Sequence, residues 1–150
     1  MYAKQLNKNS LKFLIIETLE KYKLYSEEAV ELIFGTIAQE SHLGKYRRQM
    51  VKNFDINKHA VSICQIEKST FDWLKQVFVN RYPELRNIQF IDLVYNDEMA
   101  ILFCRLRYLV DSEPIPHKLE DQAKYYKRVY YSYKGAATVE QYISNYQKYS

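Results

Sequence analysis

The segment Ser26-Glu27-Glu28-Ala29-Val30-Glu31-Leu32-Ile33-Phe34-Gly35-Thr36-Ile37-Ala38-Gln39-Glu40-Ser41-His42-Leu43-Gly44-Lys45 reads as one helix and its exit. Ser26 is suited to cap the first turn, and Glu27 and Glu28 sit where the positive end of the helix dipole favours them. Ala29, Val30, Leu32, Ile33, Phe34, Ile37 and Ala38 cover too wide an arc for a surface helix, so the helix is expected to be central and mostly buried. It should end near Gln39-Glu40-Ser41, with Gly44 as the stop.

The flanking sequence extends the same pattern. Ser10 opens a stripe of Leu11, Phe13, Leu14, Ile15, Leu19 and Tyr22. Residues 45–61 are mixed and suit an exposed loop or a short helical turn. Ala60 to Ile66 is a short apolar stretch, either extended or a bent connection. Ser69-Thr70 is placed to cap a helix through Phe71, Trp73, Leu74 and Val77, and Pro83 marks a break. Ile91 to Leu109 reads as a second central helix, ended before Pro114 and Pro116. Leu119–Tyr133 and Thr138–Tyr149 read as two Tyr-rich helices separated by Gly135-Ala136-Ala137. The expected fold is all-α, about seven helices with little or no strand, in a single domain over 1–150.

Composition narrows the classes further. The chain has 150 residues, 47% hydrophobic and 27% charged, which is ordinary for a folded domain. Only 3 Gly and 3 Pro argue against a turn-rich sandwich or barrel. No run approaches the ~18 apolar residues of a membrane span. Met1 to Lys8 shows neither an apolar core nor a small-residue cleavage site, so no secretory signal is expected. Cys64 and Cys104 lie in apolar surroundings, which favours two buried thiols over one disulfide. Tyrosine dominates the aromatic set, with 15 Tyr beside 7 Phe and 1 Trp. Such rings serve half-buried walls and sugar- or base-stacking surfaces alike.

The chemistry concentrates at Glu40. Its carboxyl falls at the last turn of an otherwise apolar helix, where desolvation and the negative end of the dipole both disfavour its charge. No cation precedes it in the neighbouring turns. These effects raise its pKa, as a general acid at neutral pH requires. The simpler alternative is a solvent-facing Glu that merely ends a helix.

Ile37-Ala38-Gln39-Glu40-Ser41-His42-Leu43-Gly44-Lys45 resembles the Glu-Ser signature of lytic transglycosylases and goose-type lysozymes. The Glu-Ser-His-x-Gly-Lys form is closer to the goose-type side. Ala60-Val61-Ser62-Ile63-Cys64-Gln65-Ile66-Glu67-Lys68-Ser69-Thr70 resembles the second motif of these families, a Gly-Leu-Met-Gln-Ile-like segment followed by a helix cap. Here Ser62 stands in place of Gly, and Cys64 in place of Met. Tyr130-Tyr131-Ser132, Gly135 and Val139-Glu140-Gln141-Tyr142-Ile143 resemble the third motif, an Ala-Tyr-Asn-like turn before a last helix. Val129 stands for its Ala and Tyr131 for its Asn. Lys124-Tyr125-Tyr126 competes to supply the ring that meets the catalytic Glu.

The resemblance implies a lysozyme-like fold and a glycosidase acting on peptidoglycan glycan strands. It would cut the β-1,4 bond between N-acetylmuramic acid and N-acetylglucosamine without a cofactor. Glu40 would protonate the glycosidic oxygen. Glu67 or Asp55 would be the base if water is the nucleophile; a transglycosylase needs none. Ser41, His42, Gln65, and Tyr126 or Tyr130 would bind substrate or orient Glu40. Small size, no signal and a Lys/Asn/Tyr-rich composition resemble phage-encoded murein enzymes. That implies a virion or host-cytoplasmic location with delivery to the cell wall, and other virion proteins as partners.

Rival readings carry less. His42, His59, His117, Cys64 and Cys104 lack the paired spacing of a zinc site, so no metal is expected. A Cys64 pair with His42 or His59 conflicts with an apolar, inert thiol. Arg47-Arg48 and Lys124, Lys127, Arg128 and Lys134 with interleaved Tyr would suit a phosphate backbone. Yet a net charge of +4 is small for a dedicated nucleic-acid binder, and none is expected as partner. A lysozyme-like structural protein that has lost activity is the third alternative.

Overall fold

The computed structural model describes residues 3–130 and 137–150. Six α-helices follow in order: α1 Lys8–Lys21, α2 Glu27–Ser41, α3 Lys68–Phe78, α4 Asp97–Leu109, α5 Leu119–Val129 and α6 Val139–Tyr149. Two 3-10 turns, Pro83–Asn87 and Phe90–Val94, join α3 to α4. The fold is all-α. Among the described residues the only β-type pairing is two isolated bridges, Arg48 with Val61 and Val61 with Ile66.

The central helix forms as its sequence dictates. The Ser26 side chain accepts the Ala29 N–H, and Ala29, Leu32, Ile33, Phe34, Thr36, Ile37 and Ala38 are all buried. Each such large side chain contributes about 1.5–3 kcal/mol by leaving water. α2 packs against α1, α4, α5 and α6, and so forms the axis of the helix assembly. Gly35 lets α6 approach. A Cβ there would stand 2.2 Å from the Tyr142 hydroxyl oxygen, which donates to the Leu32 carbonyl at 3.0 Å.

Several boundaries differ from the sequence expectation. α1 starts at Lys8 rather than Ser10, because the Asn7 side chain accepts the Asn9 and Ser10 N–H groups. α3 starts at Lys68, ahead of Ser69-Thr70. Glu67 occupies its cap position without a side-chain cap bond. The apolar run Ile91–Leu109 is not one helix. The Asn96 side chain accepts the Met99 N–H and begins α4 there, leaving Phe90–Val94 as a separate 3-10 turn. α5 ends at Val129; Tyr131 to Ala136 lie outside the described residues.

Residues 45–66 form no helix. Val61 and Ile66 exchange N–H···O bonds of 3.0 and 2.8 Å, so the apolar stretch is a tight bend rather than a strand. Arg47 fastens this region to α4. It is 7% exposed, and its guanidinium donates to both Asp97 oxygens at 2.6 and 3.2 Å and to the Val94 carbonyl at 3.0 Å.

Candidate active site

α2 leaves its last turn through three consecutive left-handed residues: His42 at φ 51°, Leu43 at 56° and Gly44 at 85°. Only the last is a glycine, so this exit carries backbone strain. Ser41 stabilises it. Its buried hydroxyl accepts the Gly44 N–H at 2.9 Å and lies 2.6 Å from the Ile63 carbonyl, to which it donates. The first Glu-containing segment and the 60–70 segment are therefore clasped by one side chain. Ser41 has no exposed surface, so it positions these segments and touches no ligand directly.

Glu40 sits immediately before this exit. Its carboxylate accepts a hydrogen bond from the Tyr126 hydroxyl on α5. Part of its surface still meets solvent, but protein atoms enclose it densely. Burial pushes its carboxyl up from about 4.5 to about 7, and the Tyr126 hydroxyl pulls weakly the other way. No basic side chain lies in the last turn of α2 to offset this. Near neutral pH the group holds a proton in a substantial fraction of molecules.

Tyr126 and not Tyr130 is thus the ring that meets Glu40. Tyr130 instead donates to the Cys64 carbonyl at 2.6 Å and stacks on Tyr126 with ring centroids 5.9 Å apart. The stack continues through Tyr108 to Tyr125, at 5.2 and 5.5 Å. On the other side Tyr142 lies 4.9 Å from Tyr126. Four further tyrosines, Tyr108, Tyr125, Tyr130 and Tyr142, form the ring assembly that holds Tyr126, the donor to Glu40, in place.

Beside Tyr130 opens a cleft of about 310 Å³, counting its solvent-facing part, lined by Gln65, Ile66, Glu67, Thr70, Arg107 and Tyr130. Gln65, Glu67 and Tyr130 are the expected residues; Ile66, Thr70 and Arg107 are additional. Gln65 adopts φ 52°, and its amide donates to the Ser62 carbonyl at 2.9 Å and the Tyr46 carbonyl at 3.3 Å. With two carbonyl partners the nitrogen must face them. Glu40 is not itself among the lining residues; it connects to the cleft through Tyr126 and Tyr130.

The remaining candidates are placed elsewhere. Asp55 accepts the Asn57 N–H at 2.9 Å within its own loop, and its backbone N–H donates to His59 Nδ1 at 2.9 Å. Its side chain braces the 53–59 turn, which leaves Glu67 as the one expected carboxylate among the cleft-lining residues. His42 lies with Nδ1 2.8 Å from the Tyr149 hydroxyl, edge-on to Tyr46 and Tyr149. Burial, Lys148 and Lys45 lower its pKa, so it is neutral. It packs α6 against residues 41–49 rather than lining the cleft. Tyr131, Ser132 and Gly135 of the third motif lie outside the described residues.

The alternatives also meet the geometry. Cys64 and Cys104 are buried free thiols, and burial beside one another drives Cys64 well above its usual range. A protonated thiol of this kind is no nucleophile. Among the described residues no three His, Cys, Asp or Glu side chains gather as a metal site would need. No helix there is long and apolar enough to cross a membrane. Arg47 is spent on Asp97, Arg128 on Asp111 and Glu113, and Lys124 on Glu120, which depletes the basic set proposed for nucleic acid. No protein-family model, curated protein or solved structure matches the chain.

Proposed function

We propose that the chain is a glycosidase of lysozyme-like architecture, cleaving the β-1,4 bond between N-acetylmuramic acid and N-acetylglucosamine in bacterial peptidoglycan. One observation carries the reading: a carboxyl at the end of an apolar helix, pushed up to about 7 and held by the Tyr126 hydroxyl. Two further features support it. Ser41 docks the Glu-containing motif on Ile63 of the second motif. Ser62, where the resembled families carry Gly, adopts φ 84°, a glycine-like conformation.

In this reaction Glu40 gives its proton to the glycosidic oxygen as the C–O bond to the anomeric carbon breaks. The leaving sugar departs as a neutral alcohol. In hydrolysis water attacks the anomeric carbon, and Glu67 takes the water's proton. In transglycosylation the muramic 6-hydroxyl attacks the anomeric carbon instead, gives its proton to the Glu40 carboxylate and closes a 1,6-anhydro ring. Glu67 at the cleft, with Asp55 committed to its own turn, favours hydrolysis.

The test is mass spectrometry of products from purified murein, wild type beside Glu40→Gln. Reducing ends are expected, and the variant should lose at least about a hundredfold in rate. Wild-type activity should fall above pH about 7 as Glu40 loses its proton. A variant as active as the wild type removes Glu40 from the reaction. A non-catalytic structural component of a phage particle is the second reading, favoured by the absence of Glu40 from the cleft lining. A folded wild type that releases no murein fragments would select it.

A further inference from the structure

Arg107 differs from the other well-placed arginines. Arg47 is paired with Asp97, and Arg128 with Asp111 and Glu113. Arg107 makes no ion pair with any described residue, although it lines the cleft beside Gln65 and Tyr130. Its guanidinium carbon instead lies 5.5 Å from the centroid of the Trp73 ring. Trp73 is 44% exposed and stands three residues after the cleft-lining Thr70, on the same face of α3. A guanidinium resting on an aromatic face keeps its in-plane N–H donors available, which suits forked binding of a carboxylate.

We propose that Arg107, seated on Trp73 at the rim of the cleft, binds a carboxylate carried by a saccharide strand lying across the exposed indole. The proposal rests on the saccharide reading above and specifies the substituent that the cleft selects. Trp73 supplies an apolar ring for a sugar, and Arg107 a fixed cation one helix away, at the end of α4. Uncharged strands meet only the ring; acidic strands meet both. Two carboxylates have this chemistry, the free lactyl group of a muramic sugar and the terminal carboxylate of an attached peptide.

Trp73 is the only tryptophan in the chain, so its fluorescence reports this site alone. The Glu40→Gln protein is titrated with three ligands: an uncharged N-acetylglucosamine disaccharide, N-acetylglucosaminyl-N-acetylmuramic acid, and the same disaccharide bearing a stem peptide. At least one acidic ligand should bind about tenfold more tightly than the uncharged one, with the advantage shrinking as salt rises. Which of the two does so identifies the carboxylate. Arg107→Met should abolish the advantage, and Arg107→Lys should restore only part of it. Equal affinities for all three ligands, an advantage that survives Arg107→Met, or no Trp73 response would each overturn the proposal. The outcome is separate from murein cleavage. Acid-selective binding by a protein that releases no fragments would refute the glycosidase reading and keep this one, and cleavage without Arg107-dependent selectivity would do the reverse.

Discussion

Two partly buried carboxylates at helix ends, Glu40 and Asp97, receive opposite treatment. Asp97 begins α4, where the helix dipole favours an anion, and both its oxygens meet the Arg47 guanidinium. Glu40 ends α2, at the negative end of the dipole, and meets only a neutral hydroxyl. The backbone differs in the same sense. Among the described residues six non-glycine positions have positive φ, and four of them, His42, Leu43, Ser62 and Gln65, belong to the segments clasped below Glu40; none lies at the start of α4. One site spends its charge on holding the loop to the helices. The other keeps a proton where a stabilising arrangement would have discarded it.

The sharpest way to break this contrast is to unpair the stabilising site. Asp97→Ala leaves the Arg47 guanidinium buried without its counter-ion, and should cost about 3–5 kcal/mol. Urea denaturation read by circular dichroism measures it. A loss below ~1 kcal/mol would mean that the fork adds no more than a surface ion pair.

The next test acts on Glu40 with the opposite sign. Its folded pKa of about 7 lies above the ordinary 4.5, so the folded state prefers the protonated form. The stability tied to that proton is complete below pH 4.5 and lost as pH rises towards 7. At about 1.4 kcal/mol per pH unit, the loss is about 3 kcal/mol. Glu40→Gln keeps the shape and an acceptor for Tyr126 but has no proton to lose. Its stability relative to wild type should therefore rise by about that amount between pH 4.5 and pH 8. Parallel pH profiles for the two proteins would place the carboxyl in an ordinary environment.

Tyr126→Phe separates burial from hydrogen bonding at the same carboxyl. The phenol stabilises the charged form, so its removal should move Glu40 further up. The alkaline limb of the activity profile then shifts to higher pH, even as the rate falls from lost positioning. An unmoved or acid-shifted limb would show that the hydroxyl does not act on Glu40.

Much of this contrast was written locally. The Ser26 cap, the early carboxylates and the wide apolar arc of α2 all act within a few turns, and together they placed Glu40 at a buried helix end. What depends on packing between distant segments was not legible. Tyr126 and Tyr130 are four residues apart on one helix face, so only the rotation of α5 against α2 decides which one reaches Glu40. Arg107 enters the cleft from a helix some forty residues beyond Gln65, without a local signal. At Asn96 a side-chain cap divided the run Ile91–Leu109 that reads as one helix, leaving Phe90–Val94 as a separate turn. The resemblance gave Ser41 a part in binding substrate or orienting Glu40, whereas its burial and its bonds to Ile63 and Gly44 make it a clasp between the two segments.

The smallest effect probes the strain on the Glu40 side. Ser62 holds φ 84°, and its hydroxyl accepts the Cys64 N–H at 3.1 Å. Ser62→Gly loses that bond but relieves the Cβ crowding of the left-handed conformation, about 1–2 kcal/mol for an L residue. Ser62→Ala loses the bond and keeps the crowding. The two variants lack the same hydroxyl, so their difference reports the backbone. Glycine should be the more stable by roughly 1 kcal/mol, net of its greater unfolded-state entropy, measured as the shift in urea midpoint at equal slope. If alanine matches or exceeds glycine, the bend at residue 62 is unstrained. The asymmetry between the two carboxylates would then reside in charge alone.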